Sequence, residues 1–327
     1  MDAVLIIVGL ALAIAGAHLL IGGGVSIAQR LGIPTIIIGS TVVAFGTSMP
    51  ELTVNMHAAA HGNTELALGN IIGSNVFNIC LIIGVSALIT PLVIDRHAAM
   101  KDLPMCLLSA VMIGVCGNEL YLDHINYHEL MLSHGIIFLS FFAIFAYYTY
   151  LAAVAGIKED KPADTGEDTP KRDAEETHSL GRAIVYVVLG LVALAYGGDR
   201  VVVGTAGLAK TAGISDRIIG LLIVGPGTSL PELLASVVAA RKKQSDMVIG
   251  NILGSNIFNV FFTLGLTACI LPVPLDLALN YAVIANIAVS LFLVLFVCVA
   301  RRKPIGRVMG VILLVIYGVY IAHMLGH

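Results

Sequence analysis

The sequence predicts an all-α membrane protein, with ten transmembrane helices arranged as two inverted-topology repeats of five helices each. The first observation is composition: 58% of the 327 residues are hydrophobic and only 12% are charged, whereas a soluble domain is about one quarter charged. The second is that ten apolar stretches of about 20 residues, long enough to cross a bilayer as helices, follow one another along the chain. The third is that a segment of the first half returns in the second half.

The apolar stretches define the helices in chain order. The predicted spans are roughly 3–29, 33–60, 65–90, 101–118, 128–156, 181–208, 213–240, 246–271, 276–300 and 305–325. The polar segment 158–179, which combines many charges with two prolines and a glycine, predicts a flexible linker. A regulatory cation site in this segment is the alternative. The chain therefore divides into a first repeat at 1–157, a cytoplasmic linker at 158–180 and a second repeat at 181–327.

The basic residues indicate how the helices are oriented. With ten spans, 15 of the 18 lysines and arginines fall in one set of loops, and only Arg200, Lys210 and Arg217 fall on the other side. Because cytoplasmic loops carry the excess of basic residues, the first set is expected to face the cytoplasm and both termini to lie outside. We expect a multi-pass protein of the cell (inner) membrane. Lipid is its expected surrounding, with no nucleic-acid ligand and no evident obligatory protein partner.

The repeat has a constant offset of 181 residues. Residues 39–84 align with residues 220–265 without a gap, and 19 of the 46 aligned positions are identical. GTSMPEL returns as GTSLPEL, and GNIIGSNVFN returns as GNILGSNIFN. Because the offset covers five helices, an odd number, the two halves must have opposite orientations. Transporters are often built from such inverted repeats.

Each copy places one acid and several other oxygen-bearing groups in apolar sequence. The acids are Glu51 and Glu232, and an acid inside the membrane suggests a functional site. Pro50 and Pro231 are expected to open the helix just before each acid, and the freed carbonyls are tolerated only where they line a cavity. The candidate site residues are Glu51, Glu232, Thr47, Thr228, Ser48, Ser229, Ser74, Ser255, Asn78, Asn259, Ala44 and Gly225.

These ligand types favour hard cations. Carboxylate, hydroxyl, amide and carbonyl oxygens suit Na⁺ and Ca²⁺, whereas zinc and copper sites use histidine and cysteine. Two carboxylates supply a charge of −2, which balances one Ca²⁺ or two Na⁺, and competition for that pair is a physical basis for antiport. No cofactor is expected. The motifs contain no nucleophile–base pair, so we do not expect an enzyme.

Neighbouring residues have expected supporting roles. Asn70, Asn75, Asn251 and Asn256 are expected to tether adjacent helices, and Gly69, Gly73, Gly250 and Gly254 to allow close helix approach. His18 stands at the position equivalent to Asp199 in the repeat. It is interpreted as a packing or interfacial residue, with pH tuning of gating as the alternative.

The two motifs resemble the alpha repeats of the sodium/calcium exchanger family, of prokaryotic type, within the cation/Ca²⁺ exchanger superfamily. The resemblance implies an ion site on the second, third, seventh and eighth helices, with the first and sixth sliding as a gate. It implies Glu51 and Glu232 as the Ca²⁺ carboxylates, the serine, threonine and asparagine candidates as Na⁺ ligands, and backbone carbonyl ligands at Ala44 and Gly225. Potassium-dependent members carry Asp at the position of Asn259, so the resemblance implies exchange without K⁺.

The expected function is therefore secondary active Na⁺/Ca²⁺ antiport by alternating access. One alternative is a H⁺/Ca²⁺ antiporter of the same superfamily, but its members resemble GNxxE where this chain has GTSxPE. A passive cation channel is an alternative from a different class, and it would conduct without a counter-ion.

Overall fold

The computed structural model describes residues 2–62, 64–95, 98–118, 129–159, 178–213, 225–275, 277–299 and 303–326, and most of them are helical. The first half contains α1 (Asp2–Leu31), α2 (Thr35–Thr47), α3 (Met49–Ala60), α4 (Thr64–Phe77, continued by Asn78–Ile82 and Ile83–Ile89), α5 (Ala98–Cys116) and α6 (Leu132–Glu159). The second half contains α7 (Leu180–Thr211), α8 (Gly225–Gly227), α9 (Leu230–Arg241), α10 (Ser245–Ile270), α11 (Leu277–Val299) and α12 (Arg307–Gly326). The two-residue strands β1 (Glu129–Leu130) and β2 (Val273–Pro274) pair antiparallel.

The long helices fall on the predicted spans. In the described part of the chain, eight helices are long and apolar enough to cross a membrane, and α2 with α3 form a ninth span if the bent pair is counted as one. The chain is therefore an all-helical, multi-pass membrane protein. The predicted span at 213–240 lies partly outside the described residues, so the count of ten stays a prediction.

Two helix breaks come where proline was expected to cause them. The axes of α2 and α3 differ by 43°, with Ser48 between them and Pro50 in the first turn of α3. In the second half Ser229 precedes α9, which has Pro231 in its first turn. The backbone angles of the two serines nearly coincide, at φ −84° and ψ 9° for Ser48 and φ −87° and ψ 9° for Ser229. The two copies of the motif thus have the same local structure.

Both α4 and α10 widen into π-helix beside the breaks. The wide turns are Asn78–Ile82 in α4 and Phe258–Leu264 in α10, and they occupy equivalent positions in the repeat. Short π-helical turns inside α-helices often mark functional sites. Here each wide turn contains one of the candidate asparagines, Asn78 or Asn259.

Helices α1 and α7 lie side by side and antiparallel. Their contact is made by glycines spaced seven residues apart, which we call the glycine ladder: Gly9, Gly16 and Gly23 on α1 and Gly190, Gly197 and Gly204 on α7. A Cβ added at Gly16 would lie 2.8 Å from the Gly190 carbonyl oxygen, and one added at Gly197 would lie 2.6 Å from that of Gly9. Because such distances exclude any side chain, the two backbones touch directly.

A similar close approach joins α10 to α2. A Cβ at Gly250 would clash with the Ile36 carbonyl oxygen, and one at Gly254 would lie 2.5 Å from the carbonyl oxygen of Ser40. The expectation of close approach is confirmed for these two glycines. In the other half, Gly69 and Gly73 are equivalent to Gly250 and Gly254. The segment equivalent to α2, against which they would pack, lies mostly outside the described residues.

Candidate cation site

The two helix breaks place both acids in the buried interior. Glu51 lies in the first turn of α3 and Glu232 in the first turn of α9, and both side chains are 0% exposed. Helix N-termini carry a partial positive charge that favours a carboxylate there. Each acid therefore follows directly after the proline in the first turn of its helix, where the helix N-terminus favours a negative charge.

The carboxylates are bonded crosswise between the two halves. Ser48 Oγ donates a hydrogen bond to Glu232 Oε1 at 2.8 Å, and Ser229 Oγ donates to Glu51 Oε1 at 2.9 Å. Ser74 Oγ, on α4, makes a longer contact of 3.4 Å with Glu51 Oε1. Since each serine lies beside the acid of its own half and reaches the acid of the other, both carboxylates converge on one place.

Among the candidate site residues, four buried side-chain oxygens lack a hydrogen-bond partner. They are Glu51 Oε2, Glu232 Oε2, Asn78 Oδ1 and Asn259 Oδ1, which form two equivalent pairs in the repeat. A buried acceptor without a partner costs free energy, and nearly all such groups in proteins are satisfied. Coordination to a cation would satisfy such atoms, because each is an oxygen with free lone pairs.

The amides of the two candidate asparagines are anchored by a second pair of asparagines. Asn78 Nδ2 donates to Asn256 Oδ1 at 2.9 Å, and Asn259 Nδ2 donates to Asn75 Oδ1 at 3.2 Å. Asn75 and Asn256 also donate to each other's backbone carbonyl, at 3.4 Å and 3.2 Å. We call these four residues the asparagine clamp. It joins α4 to α10 and leaves the Oδ1 atoms of Asn78 and Asn259 available.

The threonines are held by the remaining asparagines. Thr47 Oγ1 donates to Asn251 Oδ1 at 3.3 Å, and Thr228 Oγ1 donates to Asn70 Oδ1 at 3.2 Å. The amide of Asn251 in turn donates to Ser236 Oγ at 3.0 Å.

The amide of Asn70 donates to Asn55 Oδ1 at 3.0 Å, which matches the bond between Asn251 and Ser236. The expected tethering role is therefore observed for all four of Asn70, Asn75, Asn251 and Asn256. The sequence reasoning missed Asn55 and Ser236. Both residues are polar, lie in apolar sequence and occupy equivalent positions in the repeat, and this pattern could have identified them.

The structure describes the surroundings of the Ala44 carbonyl more fully than those of Gly225. The Ala44 carbonyl accepts a hydrogen bond from Ser48 N at 3.0 Å, and the hydroxyl oxygens of Thr47 and Ser255 lie 3.3 Å and 3.4 Å from it. Three protein donors therefore surround this carbonyl. Gly225 is the first residue of α8, directly after residues that lie outside the described part of the chain.

Comparison with known proteins identifies the same family that the two motifs resemble. A family model described as sodium/calcium exchanger protein matches residues 1–151 and 182–326. Inner membrane protein YrbG of Escherichia coli K12 is 34% identical over 312 residues, covering 94% of this chain and 92% of that protein. Putative antiporter CaxA of Alkalimonas amylolytica is 34% identical over 318 residues, covering 96% of this chain and 95% of that protein.

A solved structure is similar over nearly the whole length. The sodium-calcium exchanger NCX_Mj, soaked with Na⁺ and Sr²⁺, superposes with a TM-score of 0.81 at 29% sequence identity, covering 98% of each chain. The family match spans most of the present sequence, including both copies of the motif. The chain therefore belongs to the sodium/calcium exchanger family.

Proposed function

We propose that the protein is a secondary active antiporter that exchanges Na⁺ for Ca²⁺ across the membrane by alternating access. The observation that carries the proposal is the set of four buried oxygens without partners, on Glu51, Glu232, Asn78 and Asn259. They come from four helices and both halves of the chain, as a central cation site requires. Family membership supports a transporter rather than an enzyme, and we propose no cofactor besides the transported ions.

The ligand set suits Ca²⁺ in number and charge. Ca²⁺ takes about six to eight oxygen ligands, and two bidentate carboxylates with two amide oxygens provide about six. The two glutamates supply a charge of −2 when ionised, which one Ca²⁺ neutralises. For Na⁺, we propose that the hydroxyl oxygens contribute as well, so that more than one Na⁺ can replace one Ca²⁺. The proposed ligands are Glu51, Glu232, Thr47, Thr228, Ser48, Ser229, Ser74, Ser255, Asn78, Asn259, Ala44 and Gly225.

Obligatory exchange follows from the burial of the charges. An unloaded site would carry two buried and uncompensated carboxylates through any rearrangement, and burying charge without a partner is costly. A site loaded with either Ca²⁺ or Na⁺ is compensated and can pass through the occluded state. The moving element that we propose is the pair α1 and α7, in line with the resemblance to the family, since backbone contact along the glycine ladder makes that pair a single unit.

We also propose ten helices in two inverted repeats, with both termini outside the cytoplasm. The matching backbone at Ser48 and Ser229 supports the repeat, and the distribution of basic residues supports the orientation. Exchange is proposed to be independent of K⁺, because Asn259 carries no charge where potassium-dependent members carry an acid.

Radiolabelled Ca²⁺ uptake into proteoliposomes loaded with Na⁺, K⁺ or choline tests the proposal. We expect uptake only from Na⁺-loaded vesicles, with no requirement for external K⁺. Uptake driven equally well by a pH gradient without Na⁺ would favour the H⁺/Ca²⁺ antiporter. Uptake that needs no counter-ion at all would favour a passive channel and refute antiport.

A further inference from the structure

A basic cavity lies away from the cation site, where the turn between α9 and α10 faces the end of α1. Its volume is about 570 Å³, within the range of roughly 300–1,000 Å³ that is usual for small-molecule sites. The α9–α10 turn contributes three consecutive basic residues, Arg241, Lys242 and Lys243. The distribution of basic residues assigns this turn to the cytoplasmic side.

The rest of the described lining supplies neutral groups and one acid. Val25 and Gln29 come from α1, Thr35 starts α2, and Val93 follows α4. Gln244, Ser245 and Asp246 complete the lining that the structure describes. The described lining thus contains three basic side chains and one carboxylate, together with amide and hydroxyl groups.

The first repeat shows that the turn itself does not require basic residues. Ala60, His61 and Gly62 stand where the second repeat has Arg241, Lys242 and Lys243. Gly62 and Lys243 both have left-handed backbone, with φ of 75° and 57°. Glycine adopts this conformation without strain, whereas a residue with a side chain does so at a cost. Lysine thus occupies a position where the same turn, in the other half, uses glycine.

One of the basic side chains, that of Lys242, approaches α1. Lys242 Nζ lies 3.8 Å from the point where a Cβ on Gly22 of α1 would be. The described lining also includes Ser245 and Asp246, the first two residues of α10, and the partial positive charge of a helix N-terminus favours an anion there. An anion in the cavity would therefore contact α1 on one side and the α9–α10 turn on the other.

We propose that this basic cavity binds a phosphate-bearing anion, either the headgroup of an anionic membrane lipid or a soluble phosphate. Basic pockets between transmembrane helices on the cytoplasmic side suit phosphate-bearing headgroups. The apolar side chains of Val25 and Val93 match the less polar part of a lipid. By bridging α1 to the α9–α10 turn, the anion stabilises the arrangement of these helices seen here.

The test uses the full-length protein and a variant without the basic triplet, Arg241→Gln/Lys242→Gln/Lys243→Asn. Asparagine is chosen at position 243 because it tolerates left-handed backbone. A matched control, Arg182→Gln/Lys303→Gln/Arg307→Gln, removes the same charge from the same proposed side at residues outside the described lining of the cavity. Native mass spectrometry measures retention of phosphatidylglycerol against phosphatidylcholine. Thermal unfolding with inorganic phosphate or chloride at equal ionic strength measures binding of soluble phosphate.

We expect the wild type and the control to prefer phosphatidylglycerol, and the triplet variant to lose this preference by roughly tenfold or more, since each basic residue near an anionic surface contributes about fivefold. Protection by inorganic phosphate without lipid preference, lost in the triplet variant, would identify a soluble source. Equal binding by the wild type and the triplet variant, or equal loss in the control, would overturn the proposal. Should the triplet variant not fold, Gln29→Glu must weaken binding, because it places negative charge on the α1 wall, and unchanged binding would refute the site.

Discussion

Replacing either buried carboxylate by its amide, Glu51→Gln or Glu232→Gln, should abolish Ca²⁺ exchange. Both side chains are fully buried, and Oε2 of each has no hydrogen-bond partner. Glutamine keeps an oxygen that can accept the hydroxyl of Ser229 or Ser48, so the crosswise bond survives. At the position of Oε2, however, it places an NH₂ group, which donates hydrogen bonds and does not bind cations.

The expected loss is large because the cargo is divalent. Two unit charges about 4 Å apart interact by ~4 kcal/mol at an effective dielectric constant of ~20, and the second charge of Ca²⁺ doubles this value. Even half of that sum corresponds to roughly a thousandfold loss of Ca²⁺ affinity. Neutralising an acid inside the membrane makes insertion easier, so the variants should reach the membrane normally.

Sodium-driven Ca²⁺ uptake into proteoliposomes, at matched protein content, measures the effect. Glu129→Gln is the control, because it makes the same chemical change on β1, away from the site, and it should exchange as the wild type does. Exchange above about one tenth of the wild-type rate in either site variant would show that Glu51 and Glu232 are not the Ca²⁺ carboxylates.

Three further predictions concern the asparagine clamp, the glycine ladder and the linker. Asn75→Ala or Asn256→Ala removes two hydrogen bonds of the asparagine clamp, each worth ~1 kcal/mol, and should raise the Na⁺ concentration for half-maximal exchange by roughly tenfold; an unchanged value in both variants would mean that the clamp does not position Na⁺ ligands. Gly16→Val should lower the thermal unfolding temperature and slow exchange, since overpacking costs about 1–3 kcal/mol, whereas Gly181→Ala, with no atom within 4 Å, should be neutral; equal stability of the two would contradict the glycine ladder. Replacing residues 158–179 by a Gly/Ser linker of equal length should keep exchange within a few-fold of wild type, and loss of activation by Ca²⁺ would instead support a regulatory site there.

The sequence predicted the helices well because their signal is local. Apolar stretches of the right length located the spans, and Pro50 and Pro231 predicted breaks that the structure places at Ser48 and Ser229. The repeat also identified Glu51 and Glu232, since an acid in apolar sequence is conspicuous whatever the fold.

Contacts between the halves could not be derived in this way. Nothing local indicates that Ser48 reaches Glu232 and not Glu51, because that choice depends on how the two breaks face each other. The asparagine clamp likewise depends on the register of α4 against α10. The seven-residue spacing of the glycines is visible in the sequence, but its meaning needs the pairing of α1 with α7.

The glycine ladder limits how the lengths of its two helices can change during evolution. At each glycine the backbone of the other helix comes into direct contact, and these contacts recur every seven residues, or roughly 10.5 Å along the axis. Inserting one residue into α1 would rotate all the glycines beyond it by about 100° away from α7. A single insertion in either helix therefore breaks the ladder, and only a change that restores the register in both keeps the two backbones in contact.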